Sequence, residues 1–154
     1  MPRHKHYTFR TGEQVLEHAV RHLRATADAL EALAKRDNGA RVQLLLDSIA
    51  PEQRRLLDNV ERVLEEGSDK LLNTYTQYTV EMPTEFDPPD ENSLSGIDVI
   101  QWLQSLNEPL REMFEELADN RDSEEASEAY AALAQQLEAH EMRLSKEYQR
   151  TEDL

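Results

Sequence analysis

The sequence predicts an all-α domain in which four helices form a bundle, as two antiparallel hairpins joined by a long crossover. Four segments carry apolar residues at alternating spacings of three and four, the pattern of a helix with one buried face. Short polar turns separate the first segment from the second and the third from the fourth, whereas residues 68–94 separate the second from the third. Short turns join antiparallel neighbours, and a connection of this length can run back along the whole bundle.

The first helix is expected to begin at Thr11, because Thr11–Gln14 match a capping box. Its apolar stripe ends where Asp37–Gly39 form a tight turn. The inward residues are Leu16, Val20, Leu23, Ala27, Leu30 and Ala34.

The second helix is predicted to end at Gly67 with a left-handed cap. A short helix from Asp69 to Tyr78, capped by Ser68, should follow, and then a loop over residues 80–92. The inward stripe of the second helix is Val42, Leu45, Ile49, Glu52, Leu56, Val60 and Val63.

The third helix should begin near Ser95, and the fourth should run from a turn at residues 120–122 to about Arg150. The third stripe is Ile97, Ile100, Leu103, Asn107, Leu110, Phe114 and Leu117. The fourth is Ala126, Tyr130, Leu133, Leu137, His140, Leu144 and Tyr148. Prolines at 51 and 109 lie inside helical stripes and predict bends, with a helix restart at Ser105–Glu108.

Composition excludes several classes of protein. Of the 154 residues, 38% are hydrophobic and 32% charged, and no stretch approaches the roughly 20 apolar residues that span a bilayer. The absence of cysteine excludes disulfides and thiolate chemistry. A formal charge of −15 makes nucleic acid and anionic membranes poor partners. We expect one cytoplasmic domain over residues 1–154, with residues 1–10 as a flexible tail.

Three stripes are interrupted near their middle by a polar residue: Glu52, Asn107 and His140. Each stands where the period calls for an apolar side chain. Because an unpartnered buried charge is strongly destabilising, we expect these groups to satisfy one another.

The segment Leu137–Leu144, which contains His140-Glu141-Met142-Arg143, resembles the fourth helix of rubrerythrin-like proteins of the ferritin-like superfamily. The resemblance implies a ferritin-like four-helix bundle with two iron or manganese ions bound by Glu and Glu-x-x-His ligands. On this resemblance, His140 matches a ligand histidine and Glu52 a ligand glutamate.

At most of the other positions where the rubrerythrin-like pattern has a metal ligand, this sequence has a different residue. Leu137 and Arg55 stand where a glutamate and a histidine would be expected, and Asn107 stands where a carboxylate would be. The first helix carries no inward glutamate, although His18 and His22 flank the matching region. The resemblance therefore describes a degenerate di-metal site.

Three interpretations of this site remain open. Glu52 and His140 could form a buried hydrogen-bonded pair without metal, bridged by Asn107 or water. They could hold a single metal ion with His22 or Glu108 as a further ligand. The third interpretation is a metal-dependent oxidoreductase or ferroxidase that uses iron or manganese through an atypical ligand set. The spacing of His18 and His22, four residues apart, also suits zinc, but two solvated histidines are the simpler interpretation.

The third helix carries a second apolar row formed by Val99, Trp102, Leu106 and Met113. A helix that is apolar on two faces must be covered on both. The short helix, with Leu71, Leu72, Tyr75 and Tyr78, could cover part of this row, and a second subunit or a protein partner the rest. The leading functional hypothesis is therefore a non-catalytic bundle that acts as a homodimer or a partner-binding protein.

Overall fold

The computed structural model of the protein describes residues 7–90, 94–119 and 123–152. Within those ranges the chain is mostly helical and adds one small antiparallel sheet. The helices are α1 Gly12–Ala34, α2 Ala40–Glu66, α3 Asp69–Asn73, α4 Gly96–Ala118 and α5 Glu124–Glu152. The strands are β1 Thr8–Thr11 and β2 Tyr75–Tyr78.

The predicted helix starts at Thr11 and Ser95 are confirmed. Each residue is an N-cap whose hydroxyl accepts from the backbone amide three residues later, and each forms a full capping box. These caps fix where α1 and α4 begin. The turn predicted at residues 120–122 lies outside the described residues, but α5 begins soon after it and extends past Arg150.

The core consists of two clusters, one towards each end of the helices. One cluster joins the N-terminal halves of α1 and α5 to the C-terminal halves of α2 and α4, and the other joins the opposite halves. The pairs α1–α2 and α4–α5 pack most extensively. Helices α2 and α4 therefore run in one direction and α1 and α5 in the other. The four predicted stripes are buried almost throughout.

The segment after α2 differs from its prediction. The short helix ends at Asn73, and Tyr75–Tyr78 form β2, which pairs with β1. Alternating Tyr and Thr residues favour a strand over a helix because branched and aromatic side chains suit a pleated surface. We expected residues 1–10 to form a flexible tail, but Thr8–Arg10 belong to β1. Residues 1–6 lie outside the described residues.

Gly67 does not form the predicted left-handed cap, since its φ is −61°. A Cβ at this position would lie 2.8 Å from the carbonyl oxygen of Val63. Close approach of the backbone, and not a positive φ, explains why glycine suits the end of α2.

The second apolar row of α4 is not exposed to solvent. Val99, Trp102, Leu106 and Met113 are all buried within the single chain, so they do not form the exposed binding face that we expected. Residues of the crossover pack on the same two core clusters, Val80 and Met82 on the one that contains Met113, and Phe86 and Leu94 on the one that contains the rest of the row. The row is therefore part of the core.

Both prolines lie inside unbroken helices, so the predicted restart of the helix at Ser105 is wrong. The Ser105 hydroxyl donates back to the carbonyl of Trp102 at 2.6 Å, so it does not cap a new helix. Among the helices that the structure describes, none is long and apolar enough to cross a membrane.

Candidate functional site

The structure brings Glu52 and His140 together near the middle of the bundle. The Nδ1 atom of His140 lies 3.2 Å from Oε2 of Glu52, and the ring is buried. Glu52 is less enclosed, with 23% of its side chain exposed, and its other oxygen is bonded to Arg143. The predicted pair therefore exists, but Arg143 shares the carboxylate.

Gln53 is the residue at the centre of this site that sequence reasoning missed. Its fully buried amide forms two reciprocal hydrogen bonds with the amide of Asn107, at 3.0 and 3.1 Å. Its Oε1 atom also lies 3.1 Å from Nε2 of His140. One side chain of α2 thus connects the interior polar residues of α4 and α5. We call Glu52, Gln53, Asn107 and His140 the polar layer.

A pattern in the sequence could have identified Gln53. The stripe of α2 can pass from Ile49 to Leu56 through either Glu52 or Gln53, because both paths alternate spacings of three and four. The structure places Gln53 in the interior and Glu52 at its margin. A neutral amide is the less costly group to bury, and this decides between the two paths.

The positions of the heavy atoms in the polar layer fit two proton arrangements. In the first, a protonated His140 donates from Nδ1 to Glu52 and from Nε2 to Oε1 of Gln53. In the second, a neutral His140 donates from Nδ1 to Glu52. The side-chain amides of Gln53 and Asn107 are then both flipped, with nitrogen and oxygen exchanged, so that Gln53 donates to Nε2 of His140. Each arrangement gives both ring nitrogens, and the nitrogen and oxygen of both amides, at least one hydrogen-bond partner. The charge of His140 therefore sets the direction of the amide hydrogen bonds.

Burial favours the neutral arrangement. It lowers the pKa of His140 below the usual 6.5, and the Glu52 carboxylate opposes this effect, while the Arg143 charge adds to the lowering. At neutral pH the ring should thus donate to Glu52 and accept from Gln53.

His22 lies on α1 and is also buried, contrary to the expectation of a solvated histidine. Its Nε2 donates to the carbonyl of Leu106 at 2.8 Å, and its ring packs edge-on against Phe86, with centroids 5.1 Å apart. Its Nδ1 is buried and has no hydrogen-bond partner among the described residues. Burial lowers the pKa of His22 to about 4, so the ring is neutral.

A groove of about 170 Å³ between α2 and α5 opens onto His140. Glu52 and Arg143 stand on its walls, and a hydrogen bond of 2.9 Å from Asn59 to Gln136 joins the two helices farther along it. The outer edge of the polar layer is thereby accessible from solvent, whereas Gln53 and Asn107 are fully enclosed.

The residues present do not fit an iron or manganese centre. The carboxylate of Glu108, proposed as an extra ligand, is exposed and lies 3.9 Å from the guanidinium of Arg111. The imidazole of His22 is hydrogen-bonded to the backbone carbonyl of Leu106. In the part of the chain that the structure describes, no three His, Asp or Glu side chains are grouped to hold a metal ion. A di-iron or di-manganese site needs several anionic oxygens, but the polar layer offers one carboxylate, already shared with Arg143.

A scan against protein-family models found no family that matches the chain, and searches of curated proteins and of solved structures found no match.

Proposed function

We propose that this protein is a non-catalytic, ferritin-like bundle that acts by binding protein at its surface, and not by metal chemistry. The observation that carries this proposal is the closure of the polar layer by Gln53. Its amide occupies hydrogen-bonding groups of both Asn107 and His140, where open ligand positions would be needed to bind a metal and oxygen.

The replaced ligand positions support the same proposal. Leu137 is buried and apolar, so it supplies no donor. Arg55 and Arg143 line the groove beside His140 and bring positive charge towards the place where a cation would lie. A metal ion here would have to overcome this charge with a single carboxylate, which is unfavourable.

The ferritin-like part of the proposal rests on connectivity. Two hairpins joined by a crossover, with α2 and α4 in one direction, match the arrangement that a single long connection produces in ferritin-like folds. A bundle of this kind that lacks ligands can retain its architecture as a binding scaffold, since fold and chemistry are separable.

The alternative is a metal-dependent oxidoreductase with an atypical ligand set. One observation favours it: the groove gives solvent access to the side of His140 that faces Glu52. A weakly held Mn²⁺ or Fe²⁺ ion at these two side chains is the arrangement that an experiment must test.

The experiment is a thermal melt of the chelator-treated protein with and without Mn²⁺, or Fe²⁺ under anaerobic conditions. A ligand that binds only the folded state raises the melting temperature. We expect no rise, because two protein ligands and a competing arginine cannot hold the ion.

The matched control is the His140→Gln variant, which keeps a polar group but removes the imidazole ligand. A metal-dependent rise in the wild-type protein that disappears in His140→Gln would contradict the proposal and favour the metalloenzyme. A melting temperature that metal leaves unchanged in both proteins, whatever the difference between the two proteins themselves, supports it.

A further inference from the structure

The strands β1 and β2 form a two-stranded ribbon with an unusual cluster of exposed aromatic side chains. Tyr7, Phe9 and Tyr75 are 53%, 65% and 73% exposed. They are three of the five large apolar side chains that are exposed in the described part of the chain, and the other two lie on separate helices. Isolated apolar residues at a surface need no explanation, but a cluster does.

The register places these side chains on one face. Phe9 pairs with Gln77 and Thr11 with Tyr75, and paired residues of an antiparallel ribbon share a face. Residues two apart along a strand also share a face, and the rings of Tyr7 and Phe9 lie 6.5 Å apart. We call Tyr7, Phe9, Thr11, Tyr75 and Gln77 the outer face of the ribbon.

The opposite face of the ribbon is attached to the bundle. Thr76 and Tyr78 are buried, and Tyr78 belongs to the core cluster that includes Leu71. The Thr76 hydroxyl donates to the carbonyl of Arg10 at 2.9 Å and ties the two strands together. The ribbon is therefore held against the bundle through its inner face, and its outer face remains exposed.

The outer face carries no charge, although the chain holds 32 acidic residues and a formal charge of −15. The only charged residue in β1 or β2 is Arg10, whose partner in the register is the buried Thr76, so it belongs to the inner face. Two copies of such an acidic chain repel each other over most of their surfaces. The outer face is a surface where they can meet without placing like charges opposite each other.

We propose that the outer face of the ribbon joins two copies of this chain as a homodimer with two-fold symmetry. This inference rests on the proposed function, because it names the surface through which the bundle binds protein. An isologous interface needs a patch that is complementary to itself, and an uncharged aromatic face meets that need. A strongly charged partner would find no charge to pair with on this face.

The exposed area sets the expected strength of the dimer. Three aromatic side chains with more than half of their surface exposed offer on the order of 350 Å² of apolar area. A standard interface buries about 800 Å² on each partner, so the dimer should be weak and in exchange with the monomer. Added salt should strengthen it, because salt screens the long-range repulsion between two acidic chains.

The test is sedimentation velocity on the full chain over a range of protein concentrations, at low and high salt. We expect a monomer–dimer equilibrium that shifts towards the dimer with salt. The variants Phe9→Ser and Tyr75→Ser should each weaken the dimer by about tenfold or more, as expected for aromatic residues at the centre of an interface. Both positions are exposed, and a thermal melt will show that the variants remain folded.

The matched control is Leu44→Ser, since Leu44 on α2 is 71% exposed and lies outside the ribbon. It should leave the equilibrium unchanged. A protein that is monomeric at every concentration overturns the inference, as does a dimer that Leu44→Ser disrupts and the ribbon variants do not. Neither result involves metal, so failure of the dimer is distinguishable from failure of the proposed function, which the metal-dependent melt detects.

Discussion

The two buried histidines on the long helices differ in what surrounds them. His140 on α5 is placed between the carboxylate of Glu52 and the amide of Gln53, so both of its nitrogens have a polar neighbour. His22 on α1 has one hydrogen bond to a backbone carbonyl and a phenyl ring beside it, and its Nδ1 has no hydrogen-bond partner within the part of the chain that the structure describes. Burial is similar at the two positions, but hydrogen bonding is not.

This comparison shows that burial alone does not define the role of an interior histidine. At His22 desolvation dominates, and the low pKa of about 4 makes the ring an almost permanently neutral packing group. At His140 the nearby carboxylate opposes desolvation, and the ring orients a network of amides. The resemblance to metal-binding proteins pointed to His140, but Gln53 determines what that residue contacts.

The largest effect should follow from removing Gln53. The variant Gln53→Leu removes the partner of three buried groups: the amide oxygen and the amide nitrogen of Asn107, and the Nε2 atom of His140. We expect a loss of about 3–5 kcal/mol in the free energy of unfolding, since each unsatisfied buried group is worth about 1–3 kcal/mol. Urea denaturation of the variant measures this loss.

The control for this prediction is Gln136→Leu, the same substitution at an exposed position of α5. It removes only a surface hydrogen bond to Asn59 and should change stability by less than about 0.5 kcal/mol. Equal losses for the two variants would show that Gln53 does not hold the polar layer together.

A smaller effect should come from His22 as the pH falls. The folded-state pKa is about 4, against 6.5 for an ordinary histidine, so below pH 6.5 the unfolded chain binds a proton that the folded chain does not. The contribution of His22 to the free energy of unfolding is therefore greatest above pH 6.5, and it falls as the pH decreases towards 4. The loss should reach about 3 kcal/mol, at 1.36 kcal/mol for each unit of pKa.

Denaturant melts between pH 7 and pH 4 measure this loss. The variant His22→Leu should show a shallower decline than the wild-type protein, because the carboxylates titrate in both and only the histidine differs. The comparison variant His18→Leu, one helical turn earlier, should flatten the decline less. Burial lowers the pKa of the half-buried His18 as well, but the charge of His18 is only the smallest of the causes that act on the pKa of His22. A decline in His22→Leu as steep as in the wild type would assign the acid sensitivity to other groups.

Much of the fold was predictable because the helices obey a simple period. The stripes of α1 and α4, and the caps at Thr11 and Ser95, follow from residues within one or two turns of each other. The contact of Glu52 with His140 was predictable for the same reason, since each interrupts a stripe near its middle. Local patterns are sufficient where local geometry decides the outcome.

The missed features depend on distant partners. The strand at Tyr75–Tyr78 forms by pairing with Thr8–Thr11, which lie far away in the sequence. Residues 79–90 have no helical or strand structure, yet Phe86 packs on the core cluster that contains most of the second row of α4, and periodicity cannot reveal such a contact. The choice between Glu52 and Gln53 depends on a rotation of α2 by about one residue, which the amide of Asn107 on α4 stabilises.

We predict that the buried amide of Gln53 holds His140 more strongly than Glu52 does, and the coupling energies of His140 with these two residues test this most directly. Double-mutant cycles by urea denaturation, with His140→Leu combined in turn with Gln53→Leu and Glu52→Met, provide both values. We predict a coupling of about 1–2 kcal/mol between His140 and Gln53, because the cycle isolates a buried hydrogen bond. The coupling between His140 and Glu52 should be below about 1 kcal/mol, since that carboxylate is 23% exposed and shared with Arg143. The reverse order, with additive losses at Gln53 and strong coupling at Glu52, would show that Glu52 and not Gln53 is the main partner of His140.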